Sequence, residues 1–255
     1  MGLSVTVIAK DEATNIAAAL ASVKWADEII VVDSGSRDAT VEIARQFTER
    51  VVVHEWDGYV AQKNYAASLA THDWILSLDA DERVTPALAE EVRAVLIEPT
   101  RQGYRIPRVT WHLGRWIRST DWYPDYQLRL YNRQTAQWTG RYVHEAVTVA
   151  GTVGRLTGEI QHFAYRDISE HLETIDRYTT YAAMQMREGG RRAGFVQLAI
   201  HPLLAFLRNY IARGGFRDGV PGLIVSTLNT YYVFLKFAKL RELQQRGTDD
   251  VLAAH

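Results

Sequence analysis

The chain of 255 residues has no cysteine, which excludes a disulfide framework and a thiolate metal site and suits a cytosolic protein. Neither sign of charge is in excess: 29 Lys and Arg stand against 30 Asp and Glu, a formal net charge of −1, so no overall field draws nucleic acid. No Gly-x-Gly-x-x-Gly follows the first apolar run and no Walker lysine motif occurs, which disfavours a dinucleotide oxidoreductase and a P-loop enzyme. Long apolar runs are missing too. Residues 193–207 and 219–235 carry no charge, but neither reaches the roughly 20 apolar residues of a membrane span. Met1-Gly2-Leu3-Ser4 fits a myristoylation pattern but lacks the basic leader of a signal peptide, and the run reads as a first strand.

What is present is a globular composition, 47% hydrophobic and 23% charged, enough for one large domain or a domain with an appendage. Apolar, largely β-branched runs at residues 5–9, 28–33, 51–53 and 74–78 read as strands. They alternate with helical spacing at Ile16, Leu20 and Val23, at Val41, Ala44 and Phe47, and over residues 59–69. The alternation predicts an α/β fold, a mostly parallel Rossmann-like sheet with helices on both faces. The fourth run ends in Asp79-Ala80-Asp81-Glu82, three carboxylates at the carboxyl end of a buried strand, where open α/β sheets bind ligands. On an extended chain Asp79 and Asp81 point the same way and can share one hard cation. The alternative is that Asp81 and Glu82 merely introduce the helix that Thr85-Pro86 opens as N-cap and first residue.

Four landmarks in order carry a resemblance: Val5 with Ile8-Ala9-Lys10-Asp11-Glu12, then Ile30-Val31-Val32-Asp33-Ser34-Gly35-Ser36-Arg37-Asp38-Ala39-Thr40, Gln62-Lys63-Asn64, and Asp79-Ala80-Asp81. Together they resemble the donor half of a family 2 glycosyltransferase of the GT-A fold. Tyr123-Pro124-Asp125-Tyr126-Gln127-Leu128-Arg129-Leu130-Tyr131, Trp138-x-Gly140-x-x-Val143-His144-Glu145 and a basic, apolar tail are similar to bacterial lipopolysaccharide-core β-glucosyltransferases. The resemblance implies metal-dependent, inverting transfer of a hexose from a nucleotide sugar such as a UDP-hexose. The implied acceptor is a lipid-linked glycan, such as lipopolysaccharide inner core, at the cytoplasmic face of a bacterial inner membrane. It further implies that Asp33 accepts from the base, Glu12 lies beside the nucleoside, Lys63 faces the diphosphate and Arg129 belongs to the donor site. Asp79 and Asp81 would hold ribose and metal, the cation being Mg²⁺ or Mn²⁺. On the residues alone, Lys63 can equally be a solvated charge and Asp33 the start of a turn.

Residues 1–100 are thus expected to form the nucleotide-sugar half and 101–165 the acceptor half of one catalytic domain. Residues 104–109 and 127–131 read as its strands, joined by a segment holding Trp111, Trp116, Trp122 and Tyr123, which suits sugar rings or a core equally well. Inversion needs a carboxylate to take the acceptor proton. The family supplies it from a Glu-Asp pair, where this chain has His144-Glu145. Glu145 is the first choice as base, with His144 orienting it or the acceptor, and Asp125 is the second. His162 stands where such enzymes carry a late metal-binding histidine, though a strand histidine can be purely structural.

The remainder, 166–255, reads as a helical extension. Residues 186–241 hold 9 Lys and Arg against 2 Asp and Glu, whereas residues 1–150 hold 16 against 20. Two interfacial helices anchored on an anionic membrane by Arg191, Arg192, Arg208, Arg213, Arg217, Lys236, Lys239 and Arg241 would account for that excess. A helical subdomain packed on the core, or an oligomer interface, would account for the apolar part. Two rival functions stay open at this point: a polyprenyl-phosphate glycosyltransferase, and a non-catalytic membrane-bound scaffold that has kept the fold.

Overall fold

A computed structural model describes residues 1–140 and 145–252, with side chains to Gln245. The chain divides into two compact units. One comprises Met1–Val109 and Pro124–Ala164, the other Thr110–Tyr123 and the chain from Tyr165 onward. The aromatic segment 110–123, assigned above to the acceptor half, therefore groups with the C-terminal helices.

In the first unit, β1 (Leu3–Ala9), β2 (Glu28–Asp33), β3 (Val51–Val53) and β4 (Trp74–Asp79) lie parallel in the order β3-β2-β1-β4. Their alternating side chains feed two cores. Val5, Val7, Val31, Leu76 and Leu78 meet Ile16 and Leu20 of α1 (Ile16–Ser22) on one face, while Ile30, Val32 and Ile75 lie on the other. Beyond the short α2 (Thr40–Ala44), α3 (Tyr59–Ser68) places Ala66 and Ala67 on that second face. Helices thus cover both faces, as the alternation predicts. The chain turns after Asp79 into β5 (Glu82–Val84), a strand that no periodicity announces, and then enters α4 (Pro86–Ile97). Thr85 caps α4 by accepting from Leu88 N, as the Thr-Pro signal requires.

β6 (Gly103–His112) pairs with β7 (Arg115–Ile117) through the two-residue turn Leu113-Gly114, both at positive φ, and this hairpin end belongs to the second unit. Back in the first unit, β8 (Asp125–Asn132) runs antiparallel to both β4 and β6. β9 (Ala136–Thr139) and β10 (Ala146–Val149) form a separate ribbon, and β11 (Val153–Arg155) flanks β6. β12 (Ile160–His162) pairs antiparallel with β5, setting His162 opposite Glu82.

The second unit holds α5 (Ile168–Glu188), α6 (Phe195–Phe206) and α7 (Gly219–Leu252) around Ala183, Ala193, Phe237 and Leu240. Asp167 caps α5, and Pro221 falls in the first turn of α7, where a missing N–H breaks no bond. Pro202 lies inside α6, which widens into a π turn at Leu207–Ala212. Several of the expected membrane anchors are engaged internally, Arg208 and Arg213 by Asp121. Lys239 donates to the backbone and carboxylate of Asp176 and to Thr180, and Lys236 is half-buried over the rings of Tyr232 and Phe237.

The loop entering β12 is clamped to α4. Glu91 accepts from the backbone N–H groups of Thr157 and Gly158, and a Cβ on Gly158 would lie 2.5 Å from Leu88 Cα. Helix backbone has no rotamer with which to yield, so Gly158→Ala is expected to destabilise the protein by about 1–3 kcal/mol. Urea unfolding should show a lower midpoint at unchanged m; an unchanged midpoint would mean the loop relaxes freely.

Candidate active site

The loops at the carboxyl ends of β1 and β2 are laced together. Asp11, at φ 55°, donates its N–H to Ser36 Oγ at 2.8 Å and accepts from Arg37 N at 2.7 Å; Glu12 N donates to Thr40 Oγ1 at 2.7 Å and Ala13 N to Asp38 at 3.0 Å. The Thr40 hydroxyl and the Ala13 and Thr40 N–H groups hold the Asp38 carboxyl below its usual range. The Glu12 carboxylate accepts from Asn15 Nδ2 at 2.9 Å. Asp33 is buried, and its oxygens accept from Gly35 N and Ser36 N, both at 2.9 Å, and from Ser36 Oγ. The local turn thus already supplies its partners, leaving only the spare lone pairs of a carboxylate for a ligand.

Gln62, Lys63 and Asn64 on α3 each do something different. Gln62 is fully buried, donating to Ser34 Oγ at 3.0 Å and paired with His54 Nδ1 at 2.8 Å, which fixes the ends of β2 and β3. Asn64 imitates a strand neighbour, donating to Trp138 O and accepting from Trp138 N, both at 2.9 Å. Lys63 is also buried. Its Nζ lies 2.9 Å from Asp79 Oδ1 and 4.4 Å from the centre of the Trp138 ring, so it is an ion-paired cation on an aromatic face and not a solvated charge.

Asp79 is held from its other oxygen by Arg129 Nη2 at 2.6 Å. Burial alone would raise the Asp79 pKa, but Arg129 and Lys63 hold it well below the usual carboxylate range. The Arg129 guanidinium works against its own burial in the same way, with Asp79 and Glu82 raising its pKa. Among the described residues its buried Nε and Nη1 have no hydrogen-bond partner. Glu82, with no exposed surface, accepts from Arg129 Nη2 at 2.8 Å, Arg108 Nη1 at 3.0 Å and Asp79 N at 3.0 Å. Arg108 in turn grips Asp125 Oδ2 through Nε at 2.9 Å and Nη2 at 2.7 Å, and Gln127 donates to Asp125 Oδ1 at 2.6 Å.

Asp81 faces a different partner, His162 Nε2 at 3.2 Å from its Oδ2, and His162 outweighs burial to lower the Asp81 carboxyl. Asp79 and Asp81 thus hold different partners, Asp79 two cations and Asp81 the imidazole, while the Asp79 charge still opposes the lowering of the Asp81 carboxyl. β4 ends at Asp79, and the turn sends Asp81 toward β12. Among the described residues no three acidic or imidazole side chains gather as a metal cage. The Asp81–His162 pair nevertheless fits a divalent cation of the Mg²⁺ or Mn²⁺ kind by its donor chemistry: a partly exposed carboxylate and an imidazole, leaving further positions to ligand or water oxygens. Asp79 already has both oxygens on cations.

Glu145 is half-buried in the field of Lys63, Asp79 and Arg129. Burial, helped by Asp79, pushes its carboxyl up against the pull of the two cations. His144 lies outside the described residues. Of the two candidate bases, Asp125 is committed to Arg108, whereas burial raises the affinity of Glu145 for a proton, the direction that favours a general base. Lys63 and Arg129 are the buried cations able to stabilise negative charge building on a departing anion.

Sequence reasoning missed Glu82 and Arg108. The available signal was that Arg108 shares a strand face with Ile106, which is fully buried, so a charge there needs a partner. Trp138, beneath Lys63, was noticed only as part of a motif.

The family model described as Glycosyl transferase family 2 matches residues 4–151, which includes every element of this site up to Glu145. The lipopolysaccharide core biosynthesis glycosyltransferase LpsC of Rhizobium meliloti is 30% identical over 263 residues, covering 98% of this chain and 97% of that protein. The uncharacterized glycosyltransferase RT0209 of Rickettsia typhi is 31% identical over 259 residues, covering 96% and 88%. Among solved structures, S. aureus TarS (residues 1–349) is similar over 97% of this chain and 92% of that one, with 12% identity and a TM-score of 0.47. Glucosyl-3-phosphoglycerate synthase from Mycobacterium tuberculosis is similar over 42% and 43%, with 22% identity and a TM-score of 0.38. With acids at the carboxyl ends of parallel strands, buried cations beside them and this match over more than half its length, the chain belongs to glycosyltransferase family 2.

Proposed function

We propose that the protein is an inverting, metal-dependent hexosyltransferase that takes its sugar from a UDP-sugar. Its acceptor is a lipid-linked glycan of the lipopolysaccharide inner-core kind, met at the cytoplasmic face of a bacterial inner membrane. The observation that carries the donor half is the pairing of Asp79 with two buried cations, Lys63 and Arg129, at the end of β4. A diphosphate leaving group needs such cations where its charge develops. Similarity to LpsC along nearly the whole of both chains supports the acceptor class. Open apolar helix faces and unbalanced arginines in the second unit support the membrane location.

In this reading Asp33 and Glu12 bind the nucleoside end, and Asp79 serves the ribose while helping to place Lys63 and Arg129 for the diphosphate. Asp81 and His162 would hold the divalent cation, which when bound neutralises diphosphate oxygens as a Lewis acid. Glu145 takes the proton of the acceptor hydroxyl as that oxygen bonds to the anomeric carbon. On the opposite face the bond from that carbon to the diphosphate oxygen breaks, and the electron pair leaves with UDP.

Glu145→Gln keeps size and hydrogen-bonding reach but removes the proton acceptor. Turnover, followed as UDP release with lipid acceptor present, should fall by about 10²–10⁴ at unchanged donor affinity. Asp125→Asn should cost much less. The reverse ranking would move the base to Asp125, and activity in both variants with a lipid phosphate acceptor would favour the polyprenyl-phosphate rival.

The pH dependence follows from the raised carboxyl. A base must be ionised, so turnover should rise with pH through an inflection above the usual glutamate value of about 4.3. Because the folded state disfavours the ionised form, its stability contribution is present at low pH and lost as pH rises through the raised pKa. Glu145→Gln escapes that loss and should be no less stable than the parent at neutral pH; a clear drop in its melting temperature would assign Glu145 a structural role.

EDTA and Asp81→Asn should each abolish transfer, and neither should unfold the protein, because Asp81 is partly exposed in the turn between β4 and β5. Full activity in EDTA would refute the metal reading.

A further inference from the structure

By length and composition Phe195–Ala212 is able to cross a membrane. We propose instead that this helix lies in the plane of an anionic phospholipid surface, its outer stripe at the headgroup–acyl boundary. The proposal rests on the membrane reading above and gives it an orientation.

The helix has two apolar faces with different neighbours. Pro202, Ala205 and Asn209, spaced three and four apart, are buried within the unit, and Leu198 packs toward Phe237 and Leu240. On the opposite side Val196, Ile200, Leu203, Leu204, Leu207 and Ile211 follow one another at helical spacing, each between 41% and 59% exposed. A spanning helix in this unit would meet lipid with both its apolar stripe and its polar flank. An in-plane helix meets lipid with the stripe alone.

Charge decides between the two. Arg208 stands inside the run, pairs with Asp121 and is 59% exposed, and Arg213 reaches the same aspartate at 3.1 Å. Asn209, buried in the widened turn, accepts from Asp121 N at 2.8 Å and donates to its carboxylate at 3.0 Å. Crossing would carry this charged knot into hydrocarbon, where such groups are costly. Lying flat leaves it at the level of lipid phosphates, with Arg191 and Arg192 exposed just before the helix. A second copy is the weaker occupant. A twofold contact would set the same arginines against themselves, whereas an anionic surface is complementary to them.

The absence of cysteine makes depth measurable site by site. Val196→Cys, Leu203→Cys and Ile211→Cys, each in the full chain and carrying a nitroxide or environment-sensitive dye, are bound to vesicles of phosphatidylglycerol and phosphatidylcholine. Lipids labelled at known depths then report position, and Glu173→Cys on exposed α5 serves as the aqueous control. The expected result is one shared shallow depth for all three sites, about 5–10 Å into the boundary, with Glu173→Cys unquenched. Removing Arg191 and Arg192 as glutamines should weaken vesicle binding roughly fivefold per arginine. Depths graded from Val196 to Ile211 by up to about 22 Å would overturn the in-plane orientation while leaving membrane binding intact. No binding to anionic vesicles, or protection of the three sites by self-association in solution, would overturn the membrane reading itself.

Discussion

One buried carboxylate holds the candidate site together. Glu82 has no exposed surface and accepts from Arg108, Arg129 and the Asp79 backbone. An unpaired carboxylate at that depth would cost several kcal/mol, and removing one partner of a buried pair typically costs about 3–5 kcal/mol. The pairs must therefore form, and forming them fixes three things: the turn after β4, the height of Arg129 on β8, and the aim of Arg108 on β6. The positions of Asp79 and Lys63 follow. A side chain with no surface of its own thus sets the geometry of those that have one.

Much of the first unit was legible because burial writes itself into sequence with a period. The runs at 28–33 and 74–78 are apolar on both faces, and both faces prove to be cores, with Val31, Leu76 and Leu78 on one and Ile30, Val32 and Ile75 on the other. What was not legible depended on where a period stops. Asp79 and Asp81 share a face only if the strand continues through both. It ends at Asp79, so Asp81 turns to His162. Three-residue β5 is too short to show any period, and Glu82 could be read from sequence only as one more acid in a cluster. The Asp33 carboxylate was legible as important but not as satisfied, because its partners are the backbone of its own turn.

The second unit divides similarly. Its positive excess is a count, and counts survive folding. Which of those cations remain available does not follow from counting, because the acids that engage them lie far away in the chain. Asp121 takes Arg208 and Arg213, and Asp176 takes Lys239. The same holds for segment 110–123, whose alliance with the C-terminal helices runs through Asp121 with Asn209 and Ser119 with Asp218.

The double grip on Asp79 has a consequence for how any anion enters. Without a ligand, Lys63 and Arg129 already share a counter-ion built into the fold, which offsets the repulsion between them. A phosphate approaching these cations would meet a carboxylate already in place and would have to share them with it. The gain in charge contact would then be smaller than at two bare cations. Loose monovalent ions, offering less than the carboxylate already in place, are poorly equipped to compete.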